Sequence, residues 1–281
     1  MTNHTATTKQ APWGLTPAER HAWEEDGFFS RPSLFDPSEV DALRTAAEAV
    51  VKRAEVCVSA SSEHYEIDGN GYVEVPALGE GATVQLEHAP ESRTVRVIEP
   101  FHALHPVFDQ LVDDPRIVLP IRELVGTEEV ALFSDKMNLK RPREGSRFDW
   151  HQDSPYWAHF CEHLDQLPNV MITLDDADEE NGCFRVVRGS HKKGCLPGRS
   201  GDGTLGPLFT HPYHFDEADQ VLLRVPAGSL VFFSPHTVHG SRPNHSDRAR
   251  RALVLTYQPS GLRMFKVDRV RNAGDARGAN G

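Results

Sequence analysis

The chain has 281 residues with a formal net charge of -11, and 38% of its residues are hydrophobic. This composition is ordinary for a globular protein and allows a sizeable core in one large domain. An acidic chain without a lysine and arginine cluster disfavours nucleic acid as a partner, and apolar runs such as Leu230 to Phe233 are too short to span a bilayer.

Two capped helices are predicted near the N-terminus. Thr16-Pro17-Ala18-Glu19 and Asp36-Pro37-Ser38-Glu39 each combine an N-cap side chain, a proline at the first helical position and a glutamate at the third. Gly27-Phe28-Phe29, between them, predicts a short strand. A further helical stretch from about His105 to Val125 is expected to break near Pro115 and Pro120 and to end at Gly126.

From about residue 130 onward the pattern changes to short β-type runs separated by turn residues. Several strands after a helical front half predict an α+β fold, mainly β in its core, with helices packed against a sandwich or barrel. The predicted strands are Ala131 to Lys140, Val170 to Leu174, Phe184 to Val187, Val221 to Val225, Leu230 to Phe233 and Ala252 to Tyr257.

The domain organisation follows from this pattern. Residues 1–13 and 268–281 are polar or rich in glycine and alanine, which predicts disordered ends around a single domain at 14–267. Within it, residues 130–258 form the predicted barrel core. The weakly periodic segment 55–94 is a candidate lid or insertion covering a site.

The cysteines and the N-terminal segment indicate the cellular compartment of the protein. Cys57, Cys161, Cys183 and Cys195 show no close pairing, and the segment from Met1 to Pro12 has no apolar signal region. These features predict reduced thiols and a cytoplasmic location. The acidic balance is compatible with a neutral or cationic small molecule as the binding partner.

Trp150-His151-Gln152-Asp153 is the most informative tetrapeptide of the chain. Residues two apart in an extended segment point the same way, so His151 and Asp153 can present an imidazole nitrogen and a carboxylate oxygen to one point. Two histidines and one carboxylate on one face of an octahedron are typical of non-haem iron sites, which keep the opposite face open. The pair alone is weak evidence, because such pairs also occur on solvated strand edges.

A third ligand is needed from another strand. His239 follows the apolar run Leu230 to Phe233 and is therefore expected at the rim of the barrel, where sites are built. His236 is the competing candidate.

Eleven residues after His239, Arg250 leads into a predicted strand. A guanidinium at that rim could bind a carboxylate through two hydrogen bonds, which a lysine would do less well. Arg248 and Arg251 lie close by, so a surface arginine is the alternative interpretation.

With these residues in place, the sequence resembles the phytanoyl-CoA dioxygenase family of Fe(II)- and 2-oxoglutarate-dependent oxygenases. The resemblance covers roughly Glu129 to Tyr257, and the capped N-terminal helices agree with it. Four stretches carry it: Lys140-Arg141-Pro142; Trp150 to Trp157; Asp176 through Asn181-Gly182-Cys183 to His191; and His239-Gly240-Ser241 through Arg250.

The resemblance implies a double-stranded β-helix, or jelly roll, with His151, Asp153 and His239 as iron ligands. It implies that Arg250 binds the far carboxylate of 2-oxoglutarate, with a hydrogen bond from Ser241. The implied reaction consumes dioxygen, releases succinate and carbon dioxide, and hydroxylates or otherwise oxidises an unactivated carbon of a small molecule. Asp153 favours this reaction over halogenation, because related halogenases lack the carboxylate.

Lys140 and Arg96 are further candidates for cosubstrate binding on the same resemblance. Relatives often have tryptophan near the start of the strand Val170 to Leu174, where this chain has Met171. This departure affects the expected local contact with the cosubstrate.

The residues after the metal-binding pair are candidates for contact with the substrate, and ordinary core packing is the alternative for the aromatic ones. Two other functions stay open: a cupin-like metal enzyme that works without 2-oxoglutarate, and a barrel that only binds a ligand. The candidate substrate residues are Gln152, Tyr156, Trp157 and Phe160.

Overall fold

The computed structural model describes residues 13–89, 91–199, 201 and 203–274. The disorder predicted for residues 1–12 and 275–281 concerns residues outside this description. Within the predicted flexible tail, Asn272–Ala273 form a short strand that pairs with a large sheet. Backbone hydrogen bonds to the sheet order this part of the tail, although its composition predicted flexibility.

Both N-terminal helices begin at their predicted capping boxes. Helix α1 (Pro17–Asp26) is capped by Thr16 and ends at Gly27, which has a φ of 84°. Helix α2 (Pro37–Ala60) is capped by Asp36, whose side chain accepts hydrogen bonds from the amides of residues 38 and 39. Its apolar face packs into the main hydrophobic core.

The next helical stretch forms α3 (Pro106–Val112) and α4 (Pro115–Val125), and a left-handed Gly126 ends α4. Pro115 separates the two helices because it starts the second one, where its missing amide costs nothing. Pro120 lies inside α4, so the predicted break there was wrong. The buried face of α4 packs into the core and holds the helix together across the proline. Among the described residues, no helix is both long and apolar enough to cross a membrane.

The described strands build two antiparallel sheets. In chain order the strands are β1 (Phe28–Arg31), β2 (His64–Ile67), β3 (Asn70–Glu74), β4 (Thr83–Leu86), β5 (Val95–Glu99), β6 (Val130–Lys140), β7 (Phe148–His151), β8 (Asn169–Thr173), β9 (Phe184–Val187), β10 (Gln220–Leu222), β11 (Leu230–Phe233), β12 (His239–Ser241), β13 (Arg250–Pro259) and β14 (Asn272–Ala273). A short helix, α5 (Ser154–Trp157), follows β7.

The large sheet has the order β1-β11-β8-β13-β6-β5-β4-β3-β2, with β14 added on β6, and the small sheet has the order β10-β9-β12-β7. The predicted α+β jelly-roll fold is confirmed. Within the described chain the two sheets face each other without closing into one continuous barrel, because no strand of one sheet pairs with a strand of the other.

The large sheet has an outer face covered by helices and an inner face turned to the small sheet. Side chains alternate between the two faces along each strand. On β8, Val170 and Ile172 belong to the helix-covered core, whereas Met171 packs with Phe184 and Val186 of the small sheet. The space between the sheets contains the site.

The segment 55–94, expected to be irregular, contains the end of a helix and three strands. Its first residues continue α2, and β2, β3 and β4 extend the large sheet in antiparallel register. Its periodicity is weak because β2 is mainly exposed. Asn70, Tyr72 and Gln85 line the cavity between the sheets, so the segment forms one wall of the site.

Candidate metal centre and cavity

Three side chains from the small sheet and its border converge on one point. His151 ends β7 and lies directly opposite His239 of β12, and Asp153 follows two residues later. One ligand atom from each of these three residues lies within 4.8 Å of the others. The structure thus brings together the three residues that the sequence suggested.

Backbone carbonyls fix the orientation of both imidazole rings. Nδ1 of His151 donates to the carbonyl of Asp149 at 2.7 Å, and Nδ1 of His239 donates to the carbonyl of Thr237 at 2.9 Å. Each ring therefore directs the lone pair of Nε2 towards the shared point. Burial, followed by the neighbouring His239, holds the pKa of His151 well below its ordinary value. The neutral form, which binds metals, is favoured.

Asp153 is held by a partner that the sequence analysis missed. Nδ2 of Asn169 donates to Oδ2 of Asp153 at 2.9 Å, and the hydroxyl of Thr256 donates to Oδ1 of Asn169 at 2.5 Å. The three side chains are buried. This chain of hydrogen bonds orients the carboxylate of Asp153, whose Oδ2 also lies 3.9 Å from Nε2 of His239.

His236, the competing candidate for the third ligand, contacts other side chains. Nδ1 of His236 lies 2.9 Å from the hydroxyl of Ser154, and its Nε2 lies 2.9 Å from Oδ1 of Asp165. His236 is not part of the converging group. Two histidines and one carboxylate are the donor set preferred by non-haem iron enzymes.

A cavity of about 400 Å³ opens between the sheets, and all three converging residues line it. Two phenylalanine rings pack against His239: the ring centroid of Phe184 lies 5.2 Å from that of His239, and the centroid of Phe233 lies 5.1 Å from it. These rings restrict the access of water to the candidate metal ligands.

Arg250 and Ser241 line the same cavity. Arg250 is 4% exposed, and its Nε has no hydrogen-bond partner among the described residues. Burial lowers its pKa to about 10, so the group keeps its charge at neutral pH. A buried guanidinium without a protein anion is suited to the carboxylate of a bound ligand.

The other two cosubstrate candidates differ in position. Arg96 lines the cavity, donates to the carbonyl of Arg147 at 2.6 Å and bonds to His88. Lys140 does not line the cavity, and its Nζ donates to the carbonyls of Ser146 at 2.5 Å and Arg242 at 2.7 Å. Burial and the neighbouring Arg250 lower the pKa of Lys140 to about 5.

Of the four candidate substrate residues, the structure places Tyr156 alone in the wall of the cavity. Gln152 is buried on the opposite side and bonds to the backbone of Gly194 and His236. Trp157 packs on Phe133, and Phe160 is 46% exposed. Successive residues point to opposite faces, which explains why Gln152 is separated from its neighbours His151 and Asp153.

Met171, where relatives often have tryptophan, lines the cavity. It lies on the inner face of β8, opposite Val231 and Val254 on the neighbouring strands. A flexible thioether in place of a bulky ring leaves more room at this wall.

Comparisons with known proteins agree with this geometry. The family model for phytanoyl-CoA dioxygenase (PhyH) matches residues 23–252. The chain is 32% identical over 194 residues to the probable alpha-ketoglutarate-dependent hypophosphite dioxygenase of Stutzerimonas stutzeri, a match that covers 66% of each chain. It is 27% identical over 264 residues to the ectoine dioxygenase of Bordetella bronchiseptica, covering 86% of this chain and 75% of that enzyme.

A solved structure shows the same fold. The crystal structure of EctD from S. alaskensis with 2-oxoglutarate and 5-hydroxyectoine superimposes with a TM-score of 0.66 at 22% identity, covering 95% of this chain and 84% of that one. The family match includes His151, Asp153, His239 and Arg250, and it spans most of the sequence. The chain therefore belongs to the phytanoyl-CoA dioxygenase family.

Proposed function

We propose that His151, Asp153 and His239 hold the iron, and that Arg250 with Ser241 binds the far carboxylate of 2-oxoglutarate. The chain is a non-haem iron dioxygenase that depends on 2-oxoglutarate and acts on a small molecule. The convergence of the three ligand atoms in one cavity carries the assignment of residues.

Bound Fe(II) and 2-oxoglutarate supply the oxidising chemistry, in which dioxygen is consumed and 2-oxoglutarate is converted to succinate and carbon dioxide. The protein contributes orientation and a site that restricts water. Its two imidazoles are fixed by backbone carbonyls, and Asn169 holds the carboxylate of Asp153. The three side chains would hold the iron, and the cavity that they line would have room for small molecules beside it.

Arg250 fixes the orientation of the bound cosubstrate. Its side chain is buried in the cavity wall, and none of the described acidic side chains forms an ion pair with it, so a dicarboxylate can bind there by two charge-assisted hydrogen bonds. Ser241 lies on β12 two residues after His239 and lines the same cavity, which places a hydroxyl on the metal side. A cupin-like enzyme without 2-oxoglutarate would leave Arg250 buried and unpaired, at a cost in stability.

We assign different supporting roles to Lys140 and Arg96. Arg96 lies in the cavity wall and can reach a bound carboxylate directly. Lys140 acts through the backbone that it holds, since its Nζ bonds to the carbonyl of Arg242, next to Ser241.

A cytoplasmic location is also part of the proposal. It is supported by the four cysteines, which are all free of disulfide bonds. Reduced thiols are usual in that compartment.

The experiment that tests the ligand assignment is the Asp153→Ala variant. Removing the carboxylate is expected to lower iron-dependent succinate formation by more than about a hundredfold, because the loss of a ligand exceeds the effect of losing an outer-sphere partner. The far-ultraviolet circular dichroism is expected to stay unchanged. The measurement is succinate released with ferrous iron and 2-oxoglutarate, together with iron bound per chain.

His236→Gln is the control, because it removes the competing histidine and is expected to keep both iron and succinate formation. Full activity of Asp153→Ala would contradict the assignment. Loss of iron in His236→Gln with retention in His239→Gln would move the third ligand to His236.

A further inference from the structure

The charge of the cavity differs from that of the chain. The whole chain has a net charge of -11, yet basic side chains outnumber acidic ones among the residues that line the cavity. The acids are Asp68, Asp149 and Asp153, and the bases are Arg96, Lys136, Arg147, Arg199 and Arg250.

Most of the acids already have a partner. Asp149 pairs with Arg147 at 2.7 Å, Asp68 accepts a hydrogen bond from the amide of Leu205 at 2.6 Å, and Asp153 is a proposed iron ligand. Iron and 2-oxoglutarate bring opposite charges of equal size. The excess of positive charge therefore remains when both are bound.

Lys136 interacts electrostatically with two of the proposed metal ligands, Asp153 and His151. Its ammonium lies 5.7 Å from the ring centroid of Tyr156, the residue whose ring packs on His151 at 6.0 Å. Among the described residues, no hydrogen-bond acceptor or carboxylate is in contact with Nζ of Lys136. Burial lowers the pKa of Lys136, but the charges of Glu99 and Asp153 outweigh this effect and raise it. The group is therefore a cation at neutral pH.

Arg250 and Lys136 line the same cavity at different positions along the strands. Arg250 lies opposite Lys140 on β6, and Val254 lies opposite Lys136. The two positions are four residues apart along the strand, or about 13 Å at the usual rise per residue. This backbone spacing puts Arg250 and Lys136 at different levels of the cavity wall, and the 2-oxoglutarate affinity of a Lys136→Met variant separates a substrate contact from a cosubstrate contact at Lys136.

Neutral polar groups share the inner face of the large sheet with Lys136. Tyr72 of β3, Gln85 of β4 and Asn138 of β6 line the cavity. Tyr72 pairs with Gln85, Gln85 pairs with Val97 of β5, and Val97 pairs with Asn138, so these positions form one row across the four strands. Within the described chain, the side chains of Gln85 and Asn138 form no hydrogen bond. These amides can donate to a ligand that the lysine has bound.

We infer that Lys136 is the anchoring cation for the primary substrate, which is a small molecule with an oxyanion group such as a carboxylate or a phosphorus oxyanion. The inference rests on the proposed function and names the class of substrate for the same site. Lys136 binds the anion beside Tyr156, and Gln85 and Asn138 complete its hydrogen bonds. The carbon to be oxidised then lies between the anion and the metal ligands.

The test uses the protein loaded with Mn(II) and 2-oxoglutarate, because manganese accepts the same ligands and its paramagnetism relaxes nearby protons. The probes are propionate, methylphosphonate and neutral propionamide, followed by proton relaxation in nuclear magnetic resonance titrations. The variants are Lys136→Met and Lys136→Arg. Lys52→Met is the matched control, since it removes the same charge from an exposed position on α2.

Wild type and Lys52→Met are expected to bind at least one anion with strong relaxation that persists at saturating 2-oxoglutarate, and to bind propionamide more weakly. Lys136→Met is expected to bind that anion at least about tenfold more weakly, the usual effect of losing a charged hydrogen-bond donor. Lys136→Arg is expected to retain most of the affinity. A preference for propionate or methylphosphonate distinguishes the two kinds of oxyanion.

Several results would overturn the inference: unchanged anion affinity in Lys136→Met, no anion binding by wild type, or an equal loss of 2-oxoglutarate affinity in Lys136→Met. The last would make Lys136 part of the cosubstrate site. A wild-type protein that fails to bind Mn(II) together with 2-oxoglutarate would instead contradict the proposed function itself.

Discussion

On the outer face of the large sheet, β6 presents Met137 and Leu139 to the helix-covered core, whereas on the inner face it presents Lys136 and Asn138 to the cavity. Strand β13 repeats this division. Its Leu253 belongs to the helix-covered core, and its Val254 lines the cavity. The same strands therefore contribute to two environments of opposite character.

The difference between these faces separates stability from function. The outer face is apolar and covered by α2, α3 and α4, so burial of hydrophobic surface there holds the sheet in place. Within the part of the chain that the structure describes, the inner face also holds buried polar groups without a hydrogen-bond partner, such as Nε of Arg250, a costly arrangement that makes sense where a ligand completes the interactions. Alternation along each strand lets one stable sheet support both.

The largest expected effect is on the outer face. Leu253→Ala removes a fully buried side chain and is expected to lower the free energy of unfolding by about 2–5 kcal/mol. Val254→Ala, one residue along and beside the cavity, is expected to cost less than about 1.5 kcal/mol. Urea unfolding of both variants measures the difference. Equal losses at the two positions would mean that the inner face contributes to stability as much as the outer one.

The next effect compares two adjacent arginines. Arg250→Met is expected to weaken 2-oxoglutarate binding by about tenfold to a hundredfold, because a charged hydrogen-bond pair is lost. Arg251→Met is the matched control, since Arg251 points the other way and pairs with Asp175 at 2.7 Å and Glu48 at 2.9 Å. Anaerobic titration of 2-oxoglutarate into the iron-loaded proteins measures the affinity. Weaker binding of 2-oxoglutarate by Arg251→Met than by Arg250→Met would contradict the assignment of the cosubstrate to Arg250.

A smaller effect is expected from the partner of Asp153. Asn169→Ala removes the amide that holds the carboxylate and is expected to lower the affinity for ferrous iron about tenfold. Asn138→Ala, which changes another asparagine of the inner face, is expected to leave the iron affinity unchanged. Competition with a chromogenic chelator measures both. Unchanged iron affinity in Asn169→Ala would show that the orientation of Asp153 does not depend on this hydrogen bond.

Local signals in the sequence predicted a good part of the fold. Each capping box marks the start of a helix, because the atoms involved lie within four residues. The apolar runs Phe184 to Val187 and Leu230 to Phe233 match β9 and β11. Strands β2 and β3 were not predicted, because they are largely solvent-accessible and lack a clear alternation. Strands β4 and β5 were also not predicted, although most of their residues are buried.

Features that depend on distant parts of the chain could not be predicted in the same way. Asn181-Gly182 resembles a hairpin turn, yet it connects β8 of the large sheet to β9 of the small sheet. Asn169 is a single polar residue before an apolar run, and its contact with Asp153 exists only after the two sheets face each other. The pairing of His151 with His239 was foreseen from the family resemblance and from the position of each residue beside a strand.

The most direct test of the account is anomalous X-ray diffraction at the iron absorption edge, from crystals soaked with ferrous iron in the absence of dioxygen. We expect one strong anomalous peak, from an iron atom bound by Nε2 of His151, Nε2 of His239 and a carboxylate oxygen of Asp153. A soaked crystal with no peak at these three atoms, or with its iron bound by other residues such as His236, would contradict it.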